Sequence, residues 1–217
     1  MNTPVRNPVR QVWAALRALL ALTLVCGVLY PLAVTGAAQV LMPGRANGSE
    51  VTESGKAVGS DLIGQHYDLP GGAPDLKWFQ PRPSEGLGTN SRNTRYALLV
   101  SGASNLSGDN PELIDRVTAA RAAVVRDNSV PGHPVDPAAV PPDAVTSSGS
   151  GLDPDISPAY AELQVRRVAA RNHLDAGRVA ELVERHTEGR VLGFVGEPRV
   201  NVLKLNIALR RLVTGAG

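Results

Sequence analysis

The sequence predicts an α+β protein, with a single N-terminal transmembrane helix followed by one exported domain of amphipathic helices on a small sheet. Three observations support this fold class. The first is an uncharged apolar segment, Ala18–Met42. The second is a series of later segments in which apolar residues recur at helical spacing after a capping residue. The third is a set of short apolar segments between glycine- and proline-rich turns, which favours a few short strands.

The segment Ala18–Met42 is long enough to span a membrane as one helix. A helix needs about 20 apolar residues to cross about 30 Å of hydrocarbon. Pro31 lies inside the segment, but membrane helices tolerate a proline where neighbouring groups bind the freed carbonyl. The predicted organisation is a cytoplasmic tail at 1–17, a transmembrane helix at 18–42 and an extracytoplasmic domain at 43–217. Residues 1–11 are polar and are expected to be disordered.

The charges on either side of this segment predict its orientation. Three arginines precede it, only Arg45 follows closely, and no acidic residue occurs among the first 49. Because positive charge stays in the cytoplasm, the N-terminus is expected to be cytoplasmic and the rest exported. The competing interpretation is a cleaved signal peptide, since small residues at 36–38 follow the apolar run. The apolar part of a signal peptide is usually about 7–15 residues, which is shorter than this segment.

Composition restricts the classes of function that the chain can have. It has 217 residues and a formal charge of +2, with the arginines interspersed among acids, so nothing indicates binding to nucleic acid. Without the tail and span, about 175 residues remain, enough for one sizeable core. The only cysteine, Cys26, lies inside the apolar segment. The exported domain therefore cannot form a disulfide or a thiolate metal site.

The apolar segment carries more small and polar residues than a plain anchor needs. Thr23 and Gly27, and again Ala33 and Ala37, repeat at the four-residue spacing that lets two membrane helices approach closely. Random small residues in an alanine-rich helix explain the same pattern. If the helix docks against a partner, the expected contact residues are Thr23, Gly27, Tyr30, Pro31, Gly36 and Gln39.

The first part of the exported domain is expected to contain short strands and long loops. Residues 56–69 predict a short strand, a turn at Gly59-Ser60, and then a second strand or brief helix. Loops rich in proline and glycine are predicted at 71–84 and 86–95.

Three helices are then predicted from their capping residues. Asn110-Pro111 begins the first helix, which continues to about Asp127. Ser157-Pro158 begins the second, and Asp175 caps the third. The residues expected to face the core from these helices are Leu113, Ile114, Val117, Ala120, Val124, Val165, Val168, Ala169, Val179, Leu182 and Val183.

The remaining segments predict a linker, two strands and a last helix. Five prolines between 129 and 142 favour an extended linker, and Val140–Val145 and Arg190–Val195 are predicted as short strands. A turn at Gly196–Pro198 leads into a helix. Its expected inward face consists of Val202, Leu205, Ala208, Leu209 and Leu212.

A loop at 146–158 contains the residue types of a catalytic triad in the wrong arrangement. If Ser150 were the nucleophile, His186 would have to act as the base, and Asp153 or Asp155 would have to orient the histidine. A nucleophile elbow requires Gly-x-Ser-x-Gly, whereas Ser150 lies directly between two glycines. We therefore expect a structural loop, in which Gly149 and Gly151 adopt conformations closed to other residues. Its signature residues are Gly149, Ser150, Gly151, Asp153, Pro154, Ser157 and Pro158.

Other site chemistry is not indicated. The four histidines are isolated and lack the short spacings of metal ligands. Gly55-Lys56 lacks the upstream glycine and the Ser/Thr of a phosphate-binding loop. His186 is expected to place a favourable cation near a helix C-terminus, and Asp153 and Asp155 to support the helix that begins at Pro158. No catalytic residue, metal ligand or cofactor is predicted.

Several motifs together resemble one family, the KdpC subunit of the Kdp potassium-transporting ATPase. They cover most of residues 20–210, and the most specific are GSGLDPDISP at 149–158 and GEPRVNVLKLN at 196–206. Pro81 and Ala103 stand where the family tends to have glycine. The other motifs are Tyr30-Pro31, Thr35-Gly36, Gln39–Leu41, Pro43, Asn47–Ser49, Gly59–Gln65, Phe79, Arg82–Ser84, Ser104–Leu106, Asn110-Pro111 and His186–Glu188.

The resemblance implies a non-catalytic subunit of an ATP-driven potassium uptake complex. Its implied partners are a channel-like potassium-translocating subunit, a P-type ATPase subunit and a small single-span subunit, which handle ATP and potassium. The family is expected to stabilise the assembly and to promote ATP binding by the ATPase subunit. The predicted topology conflicts with direct contact to ATP, because only about 17 residues would face the cytoplasm.

Three hypotheses from different classes remain open. An accessory transporter subunit would co-purify with large membrane proteins and have no activity alone. An anchored exported hydrolase would react at Ser150 with a serine-directed probe. A stand-alone binding module would be a stable monomer after detergent extraction.

Overall fold

A computed structural model describes residues 8–84 and 101–215 and divides the chain into two units that meet at Ser49 and Glu50. The predicted loop at 86–95 lies outside the described residues. The helices are α1 (Pro8–Leu24), α2 (Tyr30–Leu41), α3 (Pro43–Ala46), α4 (Pro111–Asn128), α5 (Pro158–Asn172), α6 (Ala176–Arg185) and α7 (Val202–Thr214). The strands are β1 (Glu50–Glu53), β2 (Lys56–Ser60), β3 (Asp155–Ile156), β4 (Thr187–Glu188) and β5 (Arg199–Asn201).

The first unit contains the predicted membrane helix, which is longer than its apolar segment. It runs over Pro8–Leu41 with a mean hydropathy of 2.1 in its most apolar part, enough to cross a membrane. The helix begins at Pro8, so the expectation of disorder is wrong for residues 8–11. Proline favours the first position of a helix, where its missing N–H is not needed, and this explains the early start.

The helix passes Pro31 without ending. A π-helical turn, Val25–Leu29, joins α1 to α2, and the N–H of Tyr30 donates to the carbonyl of Val25. A π turn is wider than an α turn and is common where a regular ladder of hydrogen bonds is interrupted. The turn directly before the proline therefore keeps one continuous helix.

The second unit opens with a β-hairpin that differs from the prediction. β1 and β2 pair antiparallel, and the chain reverses at Ser54 and Gly55, which have φ angles of 51° and 76°. The turn predicted at Gly59-Ser60 is wrong, because both residues belong to β2. No signal in the sequence indicates β1, because Glu-Val-Thr-Glu is only four residues long and contains one apolar residue.

All three predicted helix caps are confirmed. The side chain of Asn110 accepts the N–H of Glu112 at 2.8 Å at the start of α4. Ser157 accepts the N–H of Tyr160 at 3.0 Å at the start of α5. Asp175 caps α6 by accepting the N–H of Arg178 at 3.2 Å. Each cap satisfies an N–H that the first turn of a helix leaves unpaired.

Two predicted strands are wrong. Val140–Val145 contains a 3-10 turn at Pro142–Ala144, because consecutive prolines cannot donate to a sheet. Arg190–Val195 forms a tight turn rather than a strand, and β4 and β5 lie on either side of it. These two strands pair antiparallel, and β5 also pairs with β3, which gives a three-stranded sheet in the order β3-β5-β4.

The core lies between the last three helices, the sheet and the segment that contains Phe79. The predicted stripe of α5 is confirmed, with Val165, Val168 and Ala169 no more than 3% exposed. α6 and α7 contribute the predicted faces to the same core. Leu113 and Ile114 on α4 are the exceptions, because Leu113 is half-buried outside the core cluster and Ile114 remains 52% exposed. The buried apolar residues from α6 and α7 are Val179, Leu182, Val183, Val202, Leu205 and Leu209.

Candidate functional site

The membrane helix leaves most of its surface exposed, because none of its residues is buried by the described chain. Thr23 and Gly27 share one face, where a Cβ atom at Gly27 would lie 3.9 Å from the Thr23 methyl group. A Cβ at Gly36 would have no atom within 4 Å. Tyr30 is 66% exposed on the same helix. The surface is therefore smooth at the two glycines and open to a lipid or a partner helix.

Gln39 has a partner within its own unit. The carboxamides of Gln39 and Asn47 form two reciprocal hydrogen bonds of 3.1 Å, and Asn47 also donates to the carbonyl of Pro43 at 2.8 Å. The pair therefore stabilises the end of α2 and the short helix α3. Of the six predicted contact residues, Gln39 thus has a structural role that the sequence did not indicate.

The glycine-serine loop requires only one of its two glycines. Gly151 has a φ of +67°, and a Cβ there would lie 2.9 Å from the carbonyl oxygen of Gly102. Gly149 has no such φ, and a Cβ there would have no atom within 4 Å. The expectation that Gly149 is closed to other residues is therefore wrong. The constraint comes from the close approach of residues 101–102 to Gly151.

Ser150 is held by hydrogen bonds of the loop. Its hydroxyl accepts the N–H of Leu152 at 3.1 Å and lies 3.3 Å from the hydroxyl of Ser148. Its carbonyl accepts the N–H of Gly102 at 2.8 Å and the hydroxyl of Ser101 at 3.0 Å. These bonds give the serine a role in shaping the backbone.

Arg82 joins the two ends of the glycine-serine loop. Its guanidinium donates to Asp153 at 2.9 Å and to the carbonyls of Thr146 and Ser147 at 3.3 Å and 3.4 Å. Ser84, two residues later, donates its hydroxyl to the carbonyl of Gly151. Because a guanidinium donates in several fixed directions, one side chain can hold both ends of the loop. The sequence showed Arg82 only as part of a motif, without this role.

The helix after the loop is supported by an aspartate that the sequence reasoning missed. Asp143 accepts the N–H of Ser157 at 2.7 Å and its hydroxyl at 2.8 Å. The hydroxyl is thereby aimed at the N–H of Tyr160, which it caps. Asp153, which was expected to support this helix, accepts instead the N–H of Asp155 at 3.0 Å.

Asp155 on β3 is partly buried beside two other acids. Burial raises the pKa of its carboxyl, the nearby charge of Asp153 raises this pKa further, and Arg199 opposes the rise. The guanidinium of Arg199 lies 3.1 Å from Asp155 and 2.8 Å from Glu188. These ion pairs connect the strands of the three-stranded sheet.

The residues considered for a triad have separate partners. The Nδ1 atom of His186 donates to the carbonyl of Leu182 at 2.8 Å at the end of α6. Asp153 pairs with Arg82, whereas Ser150 bonds within its own loop. Among the described residues, no hydrogen bond joins the serine to the histidine or the histidine to an aspartate. The geometry thus assigns His186 to the helix end, as expected.

The buried polar groups near the core centre on Arg167 of α5. Its side chain, only 1% exposed, donates to Asn128 at 2.8 Å, to Gln164 at 2.6 Å and to the carbonyls of Trp78 at 2.9 Å and Leu76. Burial lowers the pKa of Arg167 to about 10. Because these bonds occupy its donors, Arg167 fixes the extended segment at 76–80 against α5.

A groove of about 460 Å³ lies over this buried network. Its lining is mixed, with alanines of α4, the carboxyl of Asp127, the imidazole of His66 and the ring of Tyr160. Burial raises the pKa of Tyr160 to about 12, so it is neutral at physiological pH. Residues 8–84 and 101–215 contain no group of three or more side chains placed to hold a metal ion.

Comparison with known proteins gives a consistent result over the whole chain. The model of the family described as "KdpC: K+-transporting ATPase, c chain" matches residues 12–211. A protein of Streptomyces coelicolor named "Potassium-transporting ATPase KdpC subunit" is 65% identical, with 100% of both chains covered. Proteins of the same name from Kineococcus radiotolerans and Mycobacterium tuberculosis are 47% and 42% identical. The alignments cover 97% and 94% of this chain and 98% and 99% of those relatives.

Proposed function

The chain belongs to the KdpC family of K+-transporting ATPase subunits, and from this premise we propose that it stabilises assembly of the complex. As a member of that family it is a non-catalytic accessory subunit. The observation that carries the proposal is the membrane helix Pro8–Leu41, which buries none of its side chains within the described chain. Its glycines, Gly27 and Gly36, leave a surface that a second helix can approach closely.

The proposed partners are a channel-like potassium-translocating subunit, a P-type ATPase subunit and a small single-span subunit. Polar and small residues in a membrane helix favour contact with other helices, because lipid cannot pair with polar groups. Thr23, Gly27, Tyr30 and Gly36 therefore supply the proposed contact with a larger membrane subunit. ATP and potassium are handled by the partners rather than by this chain.

The proposed orientation places the short N-terminal segment in the cytoplasm and residues 43–217 outside it. Three arginines precede the span and Arg45 alone follows closely, which favours this orientation under the positive-inside rule. In this orientation the chain cannot present a large surface to cytoplasmic ATP. Promotion of ATP binding by the ATPase subunit would then act through the assembled complex.

A substitution of the membrane helix tests the proposal. Replacing Ala18–Met42 with a leucine-rich span of equal length should preserve membrane insertion and reduce recovery of the complex. Each interhelical hydrogen bond is worth about 0.6–2 kcal/mol, so loss of several contacts should lower recovery at least tenfold. The matched control is the same leucine-rich span that retains Thr23, Gly27, Tyr30, Pro31 and Gly36. Full recovery and full potassium uptake with the plain leucine span would refute docking through the helix.

A further inference from the structure

The turn between β4 and β5 is the most exposed apolar feature described in residues 50–215. This apolar turn consists of Val191–Val195, in which Leu192 is 82% exposed and Phe194 is 73% exposed. Four of the eight exposed large hydrophobic residues described in the second unit lie in these five positions. Scattered single hydrophobic residues need no explanation, but this concentration does.

The apolar turn is closed by its own backbone. The N–H of Val191 donates to the carbonyl of Val195 at 2.9 Å, and the reverse bond measures 3.0 Å. Arg190 and Glu197 form an ion pair of 2.7 Å next to these bonds. The side chains of Leu192 and Phe194 are therefore presented on a preformed support, which reduces the entropy lost when such a turn binds.

Leu192 occupies a backbone conformation that does not suit leucine. Its φ is +54°, followed by +81° at Gly193. Asparagine and glycine are the residues that normally accept such angles, whereas a leucine is strained there by its Cβ atom. Because Leu192 is also exposed, packing within the described residues does not compensate this strain. Contact with another molecule would explain a leucine at this position.

The charges around the apolar turn favour a protein partner over a lipid surface. Arg190 is paired with Glu197, and Arg199 is paired with Asp155 and Glu188. Compensated charges give no net attraction to anionic lipid, which basic residues near a bilayer would provide. An apolar centre surrounded by paired polar residues is instead the usual composition of a protein interface.

We propose that Leu192 and Phe194 dock into an apolar pocket on a membrane-embedded protein subunit of the K+-transporting ATPase. The inference rests on the proposed accessory function, because it requires a complex in which the chain has a partner. It adds a second contact, carried by the second unit, to the one proposed for the membrane helix. A few residues that are fully buried near the centre of an interface commonly supply most of its energy.

Substitution of Leu192 separates docking from folding. Leu192→Asn should leave the thermal unfolding midpoint of the full-length chain unchanged or higher, because asparagine accepts a positive φ. The same variant should lower recovery of the complex about tenfold, whereas Leu192→Met should retain it. Ile114→Asn is the matched control, since Ile114 is 52% exposed on α4 and its loss should leave recovery unchanged. Normal recovery with Leu192→Asn would overturn the proposal.

Labelling of a cysteine at position 195, beside the two anchors, identifies what covers the turn. With Cys26→Ser as background, Val195→Cys, at a position that is 49% exposed, should react with a water-soluble maleimide about tenfold more slowly in the complex than in the detergent-solubilised subunit. It should react freely when the subunit alone is placed in phosphatidylethanolamine and phosphatidylglycerol vesicles. Protection in those vesicles would assign the turn to the bilayer and overturn the proposal, as would rapid labelling in the complex. Failure of the wild-type chain to recover any partner would instead refute the proposed function itself.

Discussion

The carboxamide of Asn206 pairs with both backbone groups of Phe79, 127 residues earlier in the chain. It accepts the N–H of Phe79 at 2.9 Å and donates to the carbonyl of Phe79 at 2.9 Å. Gln164 pairs in the same way with the next residue, Gln80, at 2.7 Å and 3.1 Å. Two helices thus use side-chain amides to satisfy the backbone of an extended segment that pairs with no strand among the described residues.

Asn206→Ala should lower the free energy of unfolding by about 2–4 kcal/mol, because it leaves a buried N–H and a buried C=O without partners. Denaturant unfolding of the detergent-solubilised chain measures this loss. The matched control is Asn172→Ala, which removes a 2.8 Å bond to the carbonyl of Lys77 at the surface. That change should cost about 0.5–1.5 kcal/mol, because water can replace the bond. Equal losses of unfolding free energy for the two variants would show that the buried pairing of Asn206 with Phe79 stabilises the chain no more than an exposed hydrogen bond does.

The two glycines of the glycine-serine loop should respond differently to valine. Gly151→Val places a branched side chain at a φ of +67° and against the carbonyl of Gly102, so we expect a loss of more than about 2 kcal/mol. Gly149→Val meets no atom within 4 Å of its Cβ and should change stability by less than about 1 kcal/mol. The two losses are measured by thermal unfolding of each variant and of the wild-type chain. A larger loss at Gly149 would contradict the geometry of the loop.

Asp155 should make stability fall as the pH rises, which is opposite to the usual effect of an aspartate. Because its pKa is raised in the folded state, the folded chain holds this proton more tightly than the unfolded chain. Its contribution is therefore complete below the ordinary pKa of 3.8 and is lost as the pH rises through the raised value. The stability of Asp155→Asn relative to wild type should thus improve as the pH rises above 3.8.

Asp109 provides a control, because its pKa is shifted in the opposite direction from that of Asp155. Its hydrogen bond from the hydroxyl of Ser107, at 2.6 Å, lowers the pKa of its carboxyl. The contribution of Asp109 is present above the ordinary pKa of 3.8 and is lost as the pH falls through the lowered value. Asp109→Asn should therefore become relatively more stable as the pH falls. If the stability of both variants relative to wild type changed in the same direction with pH, the assigned directions of the two pKa shifts would be contradicted.

The orientation of the chain is tested at Ser101, an exposed residue of the second unit. In a chain with Cys26→Ser, Ser101→Cys should react with a membrane-impermeant thiol reagent in intact cells. The reason is the excess of arginine before the membrane span, which favours export of the remainder. Reaction only after lysis would place the second unit in the cytoplasm.

Local signals in the sequence predicted part of this fold. Asn110, Ser157 and Asp175 were identifiable as caps because a cap depends on a few adjacent residues. The membrane helix followed from length and composition, although its start at Pro8 did not. β3 and β4 have only two residues each, too short for any periodic pattern.

The longer-range features had weaker signals. Tyr160, Gln164 and Arg167 lie at helical spacing with the apolar stripe of α5, so two polar residues on a buried face could have indicated a network. Nothing in the sequence paired Asn206 with Phe79, because contacts between distant residues leave no local pattern. The valines of the apolar turn favoured a strand, and the positive φ at Leu192 overrode that preference.

Purification of the tagged full-length chain from membranes tests whether it is an accessory subunit of a potassium-transporting complex. We expect a potassium-translocating subunit and an ATPase subunit to co-purify with it in mild detergent. The chain separated from them should hydrolyse no ATP, whereas the complex should hydrolyse it. Recovery of the chain as a stable monomer without these partners, under conditions in which the other subunits remain assembled, would refute the proposed accessory role.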